Sequence, residues 1–309
     1  MNLQPEIKQK IRQALADRKE NYPSVSRMAT VLGVDKSQLS RFIGGETERV
    51  ISDSSLINIA RRMGIELRQQ APWQTARTDV FNYIWRQLEL CQMHAVGGIY
   101  CDVADIGKTY TARHYARTQQ NVAYIDCSQV KNKQRFTRAI AREFGVDHQG
   151  RYADIYADLV YYINGTENPL IILDEAGDLD YGAWLEVKAL WNATAHACGW
   201  YMMGADGLKV KIERQRDAKK VGYAEIFSRF GNRYQRIQRN GKKEEQQFRF
   251  NLVAQVAKAN GADNPQELYA RTEGGSLRRV YLELNKQKSN IPLPKGTKGE
   301  EPTQKGAQP

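Results

Sequence analysis

The chain has 309 residues, a formal charge of +11 and a pI near 9.4, enough length for a sizeable core and two folded units. No stretch approaches the roughly 20 apolar residues of a membrane span, and residues 1–5 do not read as a signal peptide. Cys91, Cys101, Cys127 and Cys198 are widely spaced without a C-x-x-C pair, which argues against a disulfide framework or a cysteine zinc site and fits reduced thiols in a cytoplasmic protein. The tail from Lys286 holds five lysines and two glutamates, so most of the basic excess belongs to the rest of the chain. That excess favours an anionic partner such as nucleic acid.

Apolar positions recur at helical spacing from Ile7 to Leu15. After Tyr22-Pro23, Ala29 is followed four residues on by Gly33 and six later by Leu39. This spacing predicts a helix-turn-helix: a small residue where helices cross, a glycine for the left-handed turn, then an apolar anchor. Asp35 stands where an N-cap belongs, with Lys36, Ser37, Gln38, Ser40 and Arg41 on the outward side of the second helix. Lys36, Gln38 and Arg41 suit phosphate and base-edge contacts. The alternative is a generic helical hairpin. A short helix over 54–63 follows, and the polar segment 67–78, with Pro72, reads as a linker.

Residues 95–101 predict a strand that runs into a phosphate loop, Asp102, Val103, Ala104, Asp105, Ile106 and Gly107, with Lys108, Thr109 and Tyr110 opening a helix. The pattern is G-x-x-x-x-G-K-[ST], in which backbone N–H groups cradle phosphates and the hydroxyl meets magnesium. Here Asp102 replaces the leading glycine, and Asp105 adds a second acid. If either carboxylate points inward, repulsion of a triphosphate would cost on the order of 1 kcal/mol or more. A strand over 121–126 and helices over 133–144 and 153–163 come next.

Leu170-Ile171-Ile172-Leu173-Asp174-Glu175 carries the strongest signal: a buried parallel strand with two acids at its carboxyl end, where an open α/β sheet binds ligand. Asp174 would hold magnesium through water, and Glu175 would polarise the attacking water. A helix around 184–194 and a strand over 200–204 continue the alternation, predicting a parallel sheet covered on both faces. Arg229 and Arg233 precede a last strand over 234–237, and Gly274-Gly275-Ser276-Leu277-Arg278 opens a helix. Helices over 248–259, 265–272 and 277–286 would form a small lid. Beyond Lys288 the composition is that of a disordered tail.

In this order, the loop, the Asp-Glu strand, Phe-Ser-Arg and Gly-x-Leu-Arg resemble the AAA+ ATPases. With the N-terminal helices the arrangement is similar to the ATPase regulators of DNA transposition, over roughly residues 5–285. The resemblance implies ATP and Mg2+ at Lys108, Thr109, Asp174 and Glu175. It also implies an arginine finger at Arg229 or, second, Arg233, and a lid sensor at Arg278. The first sensor falls on Ala205, with Asp206 beside it, where relatives often carry Asn. Such proteins bind duplex DNA with little sequence preference, assemble into ATP-dependent filaments and activate a cognate transposase. A filament needs a basic inner surface, for which Lys131, Lys133, Arg135 and Arg151 are the candidates. The basic run Lys209–Lys220 fits a solvated loop or subunit contact equally well.

The expected organisation is an all-α helix-turn-helix domain (1–66), a linker (67–78), an α/β P-loop core (79–240), a helical lid (241–287) and a tail (288–309). The alternatives to a transposition ATPase are a nucleotide-gated DNA scaffold that does not hydrolyse, or a helicase loader or initiator of the same superfamily.

Overall fold

The computed structural model describes residues 3–65, 67, 73–237 and 241–289. At the N-terminus, α1 (Pro5–Asp17), α2 (Val25–Leu32), α3 (Lys36–Ile43) and α4 (Asp53–Met63) enclose a core that includes Ile11, Met28, Leu39, Phe42 and Ile59. Gly33 ends α2 in the left-handed region (φ 72°), a conformation a β-carbon disfavours. Asp35 caps α3 by accepting from the N–H groups of Ser37 (2.8 Å) and Gln38 (3.1 Å). Ala29 and Leu39 are both buried between the two helices' turns.

The central unit runs α5 (Asp79–His94), β1 (Gly97–Cys101), α6 (Lys108–Thr118), β2 (Val122–Asp126), α7 (Lys133–Glu143), α8 (Tyr152–Asn164), β3 (Leu170–Asp174), α9 (Tyr181–Ala193), β4 (Gly199–Gly204), α10 (Asp206–Asp217), α11 (Tyr223–Arg229) and β5 (Tyr234–Gln235). All strand pairs are parallel, in the order β2-β3-β4-β1-β5. Alternation along β3 explains its unbroken apolar run. Ile171 and Leu173 enter a core with Phe136, Leu159 and Trp184, while Leu170 and Ile172 enter another with Ile84, Leu88 and Tyr115. The register pairs Asp126 with Asp174 and Cys101 with Gly204, so the carboxyl ends of the strands form one edge. The fold is that of an α/β P-loop NTPase.

At the C-terminus α12 (Lys242–Ala259), α13 (Pro265–Arg271) and α14 (Leu277–Ser289) pack on Val253, Leu268, Val280 and Leu284. Three features depart from the sequence expectation. Helix α12 starts six residues before Phe248, in a first turn where Glu244 and Glu245 suit a helix N-terminus but no apolar pattern marks it. The basic run Lys209–Lys220 is mostly helix α10 rather than a loop. Residues 73–76 of the expected linker are strapped to the lid: Trp73 meets Tyr281 edge-on (4.8 Å), and Gln74 exchanges two 3.1 Å backbone bonds with the Asn260 amide. Residues 68–72 of that linker and the tail from 290 lie outside the described residues.

Candidate nucleotide site

Ile99, Tyr100 and Cys101 carry the chain up the middle of the sheet, and the loop turns at its carboxyl edge into α6. Ile106 is buried in the core beside Val80 and Ile84, which anchors the loop from below. Gly107 takes φ 96° as the residue before α6. Val103 N–H is bonded to the Asp102 carboxylate (2.9 Å). The N–H groups from Ala104 through Tyr110, by contrast, find no acceptor among the described residues. A row of free donors ending at a helix N-terminus is what a phosphate chain requires. Lys108 is buried, and its ammonium donates to the carbonyls of Asp102 (2.9 Å) and Val103 (2.6 Å). Burial pulls that ammonium below its usual pKa, against the opposing influence of Asp102, Glu175, Asp174 and Asp206. Ala104 is exposed and Thr109 half-buried; Tyr110 is exposed, its hydroxyl 2.6 Å from that of Thr75.

Neither loop acid faces the place where phosphate would lie. Asp102 is fully buried and turns into the sheet. Its Oδ2 accepts from the Tyr100 hydroxyl (2.9 Å) and the Ile237 N–H (3.0 Å), and Arg236 Nε lies 3.4 Å from Oδ1. Here a carboxylate replaces glycine in order to fasten the end of β5 to the loop. Asp105, at φ 64°, reaches the lid instead. It accepts from the Ser276 hydroxyl and from Arg278 N–H (3.2 Å), with Arg278 Nε 3.6 Å away. An acid over the first turn of α14 is favoured by the helix dipole. The two carboxylates therefore do not present the inward charge that the sequence left open.

Asp174 ends β3 almost completely buried, accepting from the Tyr124 hydroxyl (2.7 Å) and from Glu175 N–H (3.1 Å). Arg113 donates to the same Tyr124 oxygen (3.1 Å) and pairs with Asp126 (3.5 Å). Glu175 stands exposed at the rim in a left-handed conformation (φ 50°). Desolvation, reinforced by Asp174, raises its pKa, while Lys108 opposes the shift. Among the described residues no three His, Cys, Asp or Glu side chains could hold a metal on their own. Magnesium would need the Thr109 hydroxyl and Asp174 together with phosphate oxygens and water, which fits its habit of keeping several waters. Asp206, in the first turn of α10, also acts electrostatically on Lys108 and Cys101, so it borders the site from β4. Sequence reasoning missed Tyr100, Arg113 and Tyr124, and gave Ser276 no role beyond its motif. The aromatic Tyr124 one strand over, in the expected β2, was the available signal.

Two predicted arginines lie elsewhere. The carbonyl of Arg229 sits where a Gly97 β-carbon would be only 2.8 Å away, at the opposite end of β1 from the loop. Along β1 alone that is about 13 Å from the start of the phosphate loop. Its guanidinium lies over the Trp191 ring (5.2 Å), with one buried nitrogen lacking a partner among the described residues. Arg233 is exposed and interacts with the Tyr83 hydroxyl. The Arg229 guanidinium, packed on Trp191, does not point at the phosphate loop.

Of the expected DNA contacts, Lys36 and Gln38 are exposed on α3, and Arg41 is bound by Glu46 (2.7 Å). Lys131 and Lys133 follow β2 at the same sheet edge as the loop. Lys133 is held by the buried Glu186 (3.2 Å) and the Tyr152 ring, and Lys131 approaches Asp178 (3.9 Å). Arg135 is exposed, and Arg151 is 88% exposed near Asp154. In α10, Lys211 donates to the carbonyls of Gly177 (2.7 Å) and Leu179 (2.6 Å), and Arg216 covers Phe227. Much of that second basic cluster is therefore structural.

Residues 103–212 match the family model described as AAA domain. The chain is 26% identical over 288 residues to the ATP-dependent target DNA activator B of Escherichia phage Mu, covering 84% of this chain and 88% of that protein. It is also 26% identical over 216 residues to the protein of the same name from Escherichia phage D108, covering 67% and 66%.

Proposed function

We propose that this chain, an AAA domain set within a likeness to phage target DNA activators, is an ATP-hydrolysing, DNA-binding regulator of transposition. The observation that carries the reading is the run of free N–H donors from Ala104 to Tyr110, closed by Lys108 and facing the Asp174–Glu175 edge. These donors would wrap the phosphates of ATP, and Lys108 would exchange its two loop carbonyls for phosphate oxygens. Mg2+, when bound, would neutralise developing charge on those oxygens. Glu175 would take a proton from the attacking water, which its rim position leaves accessible. Tyr124 and the Glu175 N–H fix the Asp174 carboxylate in one orientation.

The proposed assembly uses Arg229. Remote from its own loop, its guanidinium would leave the Trp191 ring and reach the site of a neighbour, and such a head-to-tail contact propagates as a filament when it does not close. Arg135, Arg151, Lys36 and Gln38 offer exposed polar and basic contacts for duplex DNA, with Lys131, Lys133 and Arg41 in support through their paired positions. The resulting assembly would present target DNA to a cognate transposase. Turnover of ATP with and without duplex DNA tests the reading: stimulation in the native chain, abolished by both Lys108→Ala and Glu175→Gln, is expected. Turnover that survives Glu175→Gln would refute the assignment of the base.

A further inference from the structure

A second concentration of positive charge lies away from the phosphate loop. Between α1, α2 and α4 on one side and α6, β2 and α7 on the other is a cavity of about 530 Å³. Seven arginines line it, against two acids, Asp126 and Glu143. Both acids are engaged, Asp126 with Arg113 (3.5 Å) and Glu143 with Arg142 (3.6 Å). Arg18, Arg27, Arg61, Arg62 and Arg117 have no carboxylate within 4.0 Å among the described residues.

Three of these five are aimed by backbone carbonyls: Arg18 donates to Met63 O (2.7 Å), Arg27 to Gly145 O (2.6 Å) and Arg62 to Val31 O (2.5 Å). A carbonyl orients a guanidinium without cancelling its charge. Arg117 lies so close to Gly64 that a β-carbon there would stand 2.6 Å from its guanidinium. Partial burial lowers the pKa of Arg18 and Arg117, with like charge from Arg18 and Arg113 adding to it on Arg117; Arg62, exposed at the rim, is lowered too, by partial desolvation and by Arg142 and Arg61 against the pull of Glu143. Partly desolvated guanidinia that repel one another weaken the fold unless an anion joins them. Guanidinium forks match phosphate oxygens in pairs. The volume falls within the roughly 300–1,000 Å³ typical of small-molecule pockets. Walls from two sides suit a compact anion better than a duplex, which needs an open track.

We propose that this interdomain cavity is a second anion site, taking a small oligophosphate, either free or as the phosphate chain of a nucleotide, that joins the N-terminal helices to the core. The test uses the full chain carrying Lys108→Ala, which disables the phosphate loop, titrated calorimetrically with tripolyphosphate. Saturable binding of one equivalent is expected, weakened roughly tenfold or more by adding Arg62→Gln with Arg117→Gln, and only partly restored by Arg62→Lys with Arg117→Lys, which return the charge without the fork. Without the anion, the Gln pair should melt at or above its parent, since like charge has been removed, which distinguishes loss of a site from loss of fold. ATP that competes with tripolyphosphate identifies a nucleotide as the source, and ATP that does not identifies a free oligophosphate. Absence of saturable binding in Lys108→Ala, or binding that the Gln pair leaves intact, overturns the proposal. Stoichiometric displacement by short duplex DNA also overturns it, because the arginines would then form a DNA surface.

Discussion

The Asp102 carboxylate accepts from one phenol and two backbone N–H groups and faces Arg236, so its charge is used within the fold. Restoring the usual residue with Asp102→Gly should therefore harm the protein. We expect a loss of about 2–4 kcal/mol, measured by denaturant unfolding, because buried donors lose their acceptor. Asp105→Gly should act in the opposite sense. It relieves a left-handed non-glycine residue and frees Arg278 from the loop, so ATP affinity should rise several-fold, about 1 kcal/mol, in a binding titration. Glu175 gives a pH signature. A raised carboxyl pKa means that the proton is taken up at higher pH than by a free glutamate, so with Glu175 as the proposed base, that base is lost earlier as pH falls. The acidic limb of the kcat–pH profile should begin above the ordinary glutamate value of about 4.3. The placement of Lys108, Thr109, Asp174 and Glu175 at one edge of the sheet was legible because strand and motif are local. The orientation of Asp102 and Asp105 was not, since their partners lie at Ile237, Ser276 and Arg278, far along the chain.

At the level of elements, basic residues of similar appearance separate into two kinds. Lys211 in α10 satisfies two carbonyls and is half-buried, whereas Arg135 and Arg151 project from the carboxyl edge. Lys211→Ala should lower the melting temperature by several degrees, as a loss of about 1–2 kcal/mol would, with DNA affinity per folded molecule unchanged. Arg135→Ala and Arg151→Ala should leave the melting temperature in place. Each should weaken duplex binding and reduce the slope of log affinity against log salt by about 1. Strand β3 could be read from its apolar run because both faces are covered. Helix α5 went unread although Val80, Ile84, Leu88 and Cys91 recur at helical spacing and all are buried. The basic run of α10 hid a helix because its apolar positions, Leu208 and Ile212, are few.

Across the whole molecule, one contact ties the lid to the loop and another distance separates Arg229 from it. Asp105 holds Ser276 and Arg278 against the phosphate loop, and Arg229 stands at the far end of β1. A nucleotide that claims Arg278 would loosen the Asp105 contact, and a neighbour that brings its own Arg229 would complete the site. Nucleotide binding, subunit contact and DNA binding are thereby expected to be linked, each strengthening the others. The direct measurement is binding of the native chain and Lys108→Ala to duplex DNA, imaged and titrated with ATP, a slowly hydrolysed analogue, ADP and no nucleotide. The account predicts extended assemblies on DNA with ATP or its analogue alone, and none with Lys108→Ala. Equal assembly on DNA with and without nucleotide would contradict it.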